Sequence, residues 1–324
     1  MNMTICTSIT EYKINLAPVS QWCGKNIRRK RQILDILCQY FSSNRGECRA
    51  SNILIDNEEV GRKYYQIYRI NTKEDLVNAI KIGKTTLMYQ YLKSLVGDFD
   101  YQDSLLKIDD ILTMIFESLN NEMNKLGNVE LMYHQEQIWD MVQKVDISGK
   151  DDRLISDLEN LELIEIYIRL QEQLQHRIPD KKIYIFENLD HLLEIDEYKK
   201  VYSECYEIAN KSDSCFIFTT SLDSYVVLSN RNINSITIIN EEEYVLDNIE
   251  FIYNFIKENY PCDINFNEKE IIDCLINIIH DIGAPMPIKN IRDLVVCKLF
   301  NKEMCIHSKW RIKPCQPEIS FMMQ

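Results

Sequence analysis

Three short apolar runs in the second half of the chain limit its fold more than any other feature: "IYIF" at 183–186, the "FIF" of "SCFIFTTS" at 214–221, and "SITII" at 235–239. A helix-length stretch through Ala209 separates the first two. A strand buried on both faces loses polar/apolar alternation and reads as a continuous apolar run, and a helical crossover lets successive strands run parallel. These segments predict the core of an α/β fold with a parallel sheet covered on both sides.

The N-terminal third supplies more of that sheet. Residues 4–16 alternate polar and apolar side chains (Ile5, Ile9, Tyr12, Ile14, Leu16), as half-exposed strands at a sheet edge do. "VSQWCGKN" is followed by "IRRKRQILDILCQYF", in which Ile33, Leu34, Leu37, Tyr40 and Phe41 recur at helical spacing. This reads as a strand, a turn at Gly24 and a helix.

Two long helices follow. One carries Ile108, Ile111, Leu112, Ile115 and Leu119 on one face; the other carries Leu158, Leu161, Ile164 and Ile168, with Glu165 and Arg169 paired outside. They are expected to pack together as a hairpin or leg, with another helix and a polar loop between them. From Leu246 onward three amphipathic helices are readable, the second capped by Asn267 with Glu270 three residues on, and "GAPMP" at 283–287 separates the last two. The expected organisation is an α/β head from 1–104 and 180–245, a helical leg over 105–179 inserted in it, and a small all-helical domain over 246–324 with a basic tail at Lys309, Arg311 and Lys313.

Two stretches look like the end of a phosphate-binding P-loop. The first, Gly83-Lys84-Thr85-Thr86, has Asn78 where the leading glycine belongs and follows a segment that reads as a helix, so it predicts a helix-turn-helix junction with a solvated lysine. The second, "GKNIRRKRQIL" at 24–34, follows a strand and opens a helix. Against the ATP-binding pattern G-P-N-G-S-G-K-S-T-L-L it keeps Gly24, Asn26, Lys30 and Leu34. Its second glycine is replaced by Arg29 and the magnesium-holding hydroxyl by Arg31, bulky cations that block ATP. Glu187, at the end of "IYIFE", stands where such folds place a catalytic carboxylate, although any buried parallel strand can end in an acid. The expectation is a degenerate P-loop-ATPase-like head that no longer hydrolyses nucleotide. The competing reading is a divergent ATPase or signalling NTPase using Lys30 or Lys84 with Glu187.

The formal charge of −13 opposes indiscriminate adhesion to nucleic acid. Residues 25–31, "KNIRRKR", reverse it locally, with five cations in seven positions. Cations at a helix N-terminus oppose the macrodipole, yet that end also presents free N–H groups to polyanions. Several arginines can follow successive phosphates of a duplex, and nothing here reads bases, so DNA binding insensitive to sequence is expected. The alternative is a solvated charge run on a module whose C-terminal helices dock a partner.

The five histidines show no ligand or catalytic spacing. The eleven cysteines are odd in number and lack a Cys-x-x-Cys pair, so they read as reduced thiols of a cytoplasmic protein; Cys297, Cys305, His307 and Cys315 are thiolate and imidazole groups of the kind zinc takes, but without the paired spacing of a zinc site. There is no signal-peptide pattern and no run of about 18 apolar residues, which predicts a soluble, unexported chain without membrane contact.

The order of segments "GKNIRRKRQILDILCQYF", "NTKEDLVNAI", "LVGDFDYQDSLLKIDDILTMIFESLNNEMN", "KKIYIFENLDHLLEIDEYKKVYSE" and "SCFIFTTSLDSYVVL" resembles the accessory spacer-acquisition proteins of type II-A CRISPR systems, the Csn-two family. The similarity covers about residues 15–245; the remainder resembles the helical extension of that family's longer members. The resemblance implies a homotetrameric ring whose basic inner surface threads onto ends of double-stranded DNA. It implies no catalysis, and work beside the CRISPR integrase complex and the RNA-guided effector nuclease. An acidic exterior around a basic lumen would reconcile the net charge with DNA binding. Carried over by position, the DNA-binding residues are Lys25, Arg28, Arg29, Lys30 and Arg31. Shorter members bind calcium through acids of the leg. The matching stretch here offers Glu130, Glu136 and Asp140, a thin set for an ion that takes six to eight oxygens.

Overall fold

A computed structural model describes residues 1–42, 50–96, 99–123, 131–132, 145–262, 266–284, 290–305 and 317–322. The chain divides into two compact units: Met1–Thr72 with Asp180–Gln324, and Lys73–Pro179.

The first unit contains the strands β1 (Asn2–Thr7), β2 (Glu11–Asn15), β3 (Val19–Cys23), β4 (Ala50–Ile55), β5 (Glu58–Glu59), β6 (Gln66–Ile70), β7 (Lys182–Phe186), β8 (Ser214–Thr219), β9 (Ile236–Ile239) and β10 (Glu243–Val245). The main sheet runs in the order β10-β9-β3-β8-β7-β6. Its strands pair in parallel except β10, which turns back antiparallel on β9. The three apolar runs are β7, β8 and β9, and every residue of each is buried. A second, antiparallel sheet in the order β2-β1-β4-β5 uses the N-terminal alternation: Tyr12 and Ile14 of β2 point inward while Glu11 and Lys13 face out.

The period-2 geometry of strands sorts the main sheet's side chains into two chemically different faces. Ile183, Ile185, Cys215 and Ile217 face α1 (Ile27–Phe41) and the antiparallel sheet, sharing a core with Ile33, Leu34, Leu37, Ile5 and Ile53. Tyr184, Phe186, Phe216 and Phe218 belong to the other face. There Phe218 meets Phe186 edge-on at 5.5 Å, and Tyr198 and Tyr202 of the crossover helix at 5.9 and 6.1 Å. Both faces are thus covered, as the continuous apolar runs require.

The second unit is helical: α2 (Lys73–Ile80), α3 (Leu87–Val96), α4 (Phe99–Met123) and α5 (Asn160–Arg177). It begins at Lys73 rather than at 105, because α2 and α3 are the main partners of α5 and α4 joins through α3. Leu163, Ile164, Tyr167, Ile168, Leu170 and Leu174 of α5 are buried, as are Leu76, Val77 and Ile80 of α2. The expected hairpin between the helices of Ile108 and Ile164 is corrected accordingly: Ile108, Ile111, Ile115 and Leu119 are 40–53% exposed. Helical periodicity marks an apolar face without saying which helix covers it.

The crossover helix is α6 (Ile195–Asn210), and the C-terminal helices are α7 (Ile249–Asn259), α8 (Glu268–Ile278), α9 (Ile291–Glu303) and the short α10 (Pro317–Met322). Asn267 and Glu270 form the expected reciprocal cap on α8. The C-terminal helices do not build a core of their own. Ile252, Ile256, Leu275, Ile278, Val295, Leu299 and Phe300 share one continuous cluster with Cys23, Ile236 and Ile238 of the main sheet. α9 is buried nearly all round, including Val295, Val296, Cys297 and Asn301, which is how a helix at the centre of a shared core is surrounded.

Candidate nucleic-acid interface

The five cations of residues 25–31 occupy the turn between β3 and α1, at the C-terminal edge of the main sheet, where open α/β sheets place their ligand sites. Gly24 makes the turn possible. Its φ is +116°, and a methyl group there would lie 2.3 Å from the carbonyl oxygen of Ile239. Asn26 caps α1 by accepting a hydrogen bond from Arg29 N at 3.0 Å, so one orphan amide of the helix end is satisfied internally.

The structure gives the five cations three different environments. Arg28 and Arg31 are exposed. Three residues apart in the first turns of α1, they lie on the same face of the helix. Lys25 is half-exposed, with its ammonium on Asp281, and Arg29 makes a two-pronged contact to Glu243 at 2.6 and 3.3 Å. The Glu243 bond holds the Arg29 guanidinium above its usual range.

Lys30 is different again, being 2% exposed. Its ammonium donates to the carbonyl of Gly24 at 2.6 Å, to the carbonyl of Thr220 and to Ser221 Oγ at 2.9 Å. Burial pulls this amine down to about 8, against the opposing influence of Cys23, Asp190 and Glu187. The Cys23 thiol is pushed up to about 12, chiefly by its own burial. A lysine so enclosed neutralises carbonyl dipoles of its own turn and cannot follow a DNA phosphate at the surface. The sequence reading places Lys30 among surface phosphate contacts; the structure encloses its side chain instead.

The amides of the turn are also engaged. Lys25 N and Asn26 N both donate to the side-chain oxygen of Asn240, at 2.7 and 3.2 Å. Asn240 is 3% exposed, and its amide nitrogen donates in turn to the carbonyls of His280 (3.1 Å) and Ile282. His280 itself meets Thr220 Oγ1 at 3.0 Å. The segment after α8 therefore lies against the turn, and a carboxamide holds the backbone donors that would cradle a phosphate.

Glu187 is similarly committed. It is 3% exposed and takes the guanidinium of Arg69, through Nε at 2.8 Å and a second nitrogen, while the third nitrogen of Arg69 bonds Asp35 at 2.6 Å. Arg69 lies on β6, a strand that the sequence does not announce, since only Ile70 of "QIYRI" is fully buried. Asn240, Asp281 and Glu243 were missed for a different reason: each lies more than 200 residues from the group it binds.

The other P-loop-like stretch lies between α2 and α3, and the helix-turn-helix expectation holds there. Thr86 Oγ1 accepts from Gly83 N at 3.2 Å and Tyr89 N at 3.3 Å, capping α3, and Lys84 is exposed. Glu130, Glu136 and Asp140 lie outside the described residues, as do His307 and Cys315. Of the other two zinc candidates, Cys297 is buried and Cys305 exposed. Among the described residues no helix is long and apolar enough to cross a membrane.

Residues 9–318 match the family model for CRISPR-associated protein Csn2 subfamily St. The fold is similar to that of the crystal structure of Stu0660 of Streptococcus thermophilus, with a TM-score of 0.84 at 20% sequence identity, over 98% of this chain and 96% of that one. A looser likeness, TM-score 0.41 at 12% identity over 78% of this chain and 98% of the other, is found with the SmcHead bound to the C-winged helix domain of ScpA. No curated protein matches.

Proposed function

Because the chain belongs to the CRISPR-associated Csn2 family, subfamily St, we propose that it is a non-enzymatic, sequence-independent binder of double-stranded DNA ends that serves spacer acquisition in the cytoplasm. In this reading the β3–α1 turn is a degenerate P-loop whose electropositive helix end has been turned over to the DNA backbone. The protein works as a homotetrameric ring threaded on the duplex, beside the CRISPR integrase complex and the effector nuclease.

The observation that carries the reading is the pair Arg28 and Arg31, exposed on one face at the start of a helix with no acid in its first turn. Each phosphate they neutralise releases counterions from the duplex, which gives affinity without reading sequence. Support against the ATPase alternative comes from the groups an ATPase would need: Lys30 is bonded to its own turn, Asn240 holds the turn's amides, and Arg69 holds Glu187.

The test is a salt titration of binding to a linear duplex and to a covalently closed circle of the same sequence, each with and without ATP. Retention on the linear form, loss of the circle and indifference to ATP are expected, together with near-complete loss of binding in Arg28→Glu plus Arg31→Glu. Equal binding to both forms would remove threading. Undiminished binding by the double variant would remove this turn as the DNA surface.

A further inference from the structure

Two of the turn's cations are held by acids that arrive from the far end of the unit, and in both pairs the acid is set deeper than the cation. Lys25 keeps 45% of its side chain exposed, whereas Asp281 is fully buried. Arg29 keeps 29% exposed, and Glu243 of β10 only 9%. A buried carboxylate must keep its counter-charge, because separating the two leaves an uncompensated ion in a poorly solvated place. Lys25 and Arg29 are therefore committed first to Asp281 and Glu243 and only second to anything outside. The geometry is fixed from both sides: Asn240 bonds the amides of Lys25 and Asn26 and also the carbonyls of His280 and Ile282, which bracket Asp281.

We infer that Asp281 and Glu243 form a built-in charge brake on the DNA-binding turn, withholding Lys25 and Arg29 from the phosphates and leaving Arg28 and Arg31 to make the contacts. The inference rests on the DNA-binding reading above. It assigns the segment after α8 a regulatory role: the more firmly it seats on the turn, the fewer cations meet the duplex. In a ring threaded on the duplex, each withheld contact lowers the barrier to stepping between equivalent phosphate positions.

The test uses the full chain and a linear duplex, with the slope of log Kd against log salt as readout. Asp281→Asn and Glu243→Gln keep shape and remove charge. Each should bind more tightly at low salt and steepen the slope by about 0.9, and the two together by about 1.8. Adding Lys25→Met to Asp281→Asn, or Arg29→Met to Glu243→Gln, should cancel the corresponding gain. If the gain survives loss of the cation, the acids act by plain repulsion of DNA and the brake is overturned. An unchanged slope in both neutral variants also overturns it, while the DNA-binding reading stands as long as Arg28→Glu plus Arg31→Glu still abolishes binding. Should Asp281→Asn fail to fold, Glu243→Gln decides alone, since its acid sits on a different element.

Discussion

The turns at Gly24 and Gly83 look alike in sequence, each a Gly-Lys step leading into a helix, yet the fold uses them in opposite ways. The first follows a central strand, reverses with a positive φ against the backbone of Ile239, and encloses a lysine six residues on. The second joins two helices, leaves Lys84 in solvent, and uses a threonine only to cap α3. The letters set what a turn can contain; the element before it decides whether its amides converge on a buried point or spread into water.

Substitution of the two glycines tests that contrast most severely. Gly24→Ala adds a methyl group to a strained φ and drives it into the Ile239 carbonyl, so a loss of at least about 3 kcal/mol is expected in urea denaturation. At Gly83 the nearest atom to an added methyl is Thr86 Cγ2 at 3.2 Å, the end of a side chain, so Gly83→Ala should stay within about 0.5 kcal/mol. Equal effects at the two sites would dissolve the comparison.

A pH series sharpens it. Folding lowers the Lys30 amine from 10.5 to about 8, so between those values the unfolded chain binds the extra proton and stability rises with pH. The penalty is fully present below about 8 and is relieved as the amine deprotonates, reaching about 3 kcal/mol by the upper end of the window. Lys30→Met lacks that titration. The wild-type advantage over Lys30→Met should therefore grow as pH is raised through this range; a constant difference would show that the ammonium is well solvated after all.

The caps give the smallest contrast. Asn26 accepts from Arg29 N and also donates to the Asn240 carbonyl at 2.9 Å, so Asn26→Ala should cost about 2 kcal/mol. Among the described residues the Thr86 hydroxyl bonds only to Gly83 and Tyr89, and Thr86→Ala should cost about 1 kcal/mol. Amide exchange in α1 and α3 separates the two losses. A larger effect at Thr86 would reverse the assignment of which turn is tied into a core.

Features carried by a local pattern were legible in the sequence. β7, β8 and β9 declared themselves because burial on both faces leaves nothing but apolar residues, and the cap of α8 because its two members sit three residues apart. The helical character of the C-terminal segment was legible too, but its sharing of a core with β3 and β9 was not, since an apolar helix face carries no record of its partner. The same limit applies to the site. A run of five cations is visible as charge, but the difference between exposed Arg28, clamped Lys25 and Arg29, and buried Lys30 is made by Asp281, Glu243 and Thr220, which only tertiary folding brings near. β6 went unread because its residues are mostly half-buried, and with it went Arg69, the reason Glu187 is engaged.

The 256-residue separation between Lys25 and Asp281 also sets an order of events at the ribosome. At about 5–20 residues per second, the partner of Lys25 is synthesised roughly 10–50 seconds after the turn itself. Over that interval the nascent α1 presents its cations without the acid that will later hold Lys25. If the charge brake acts as inferred, the newborn chain is at its most adhesive toward polyanions in that interval, and docking of the C-terminal segment is the step that ends it.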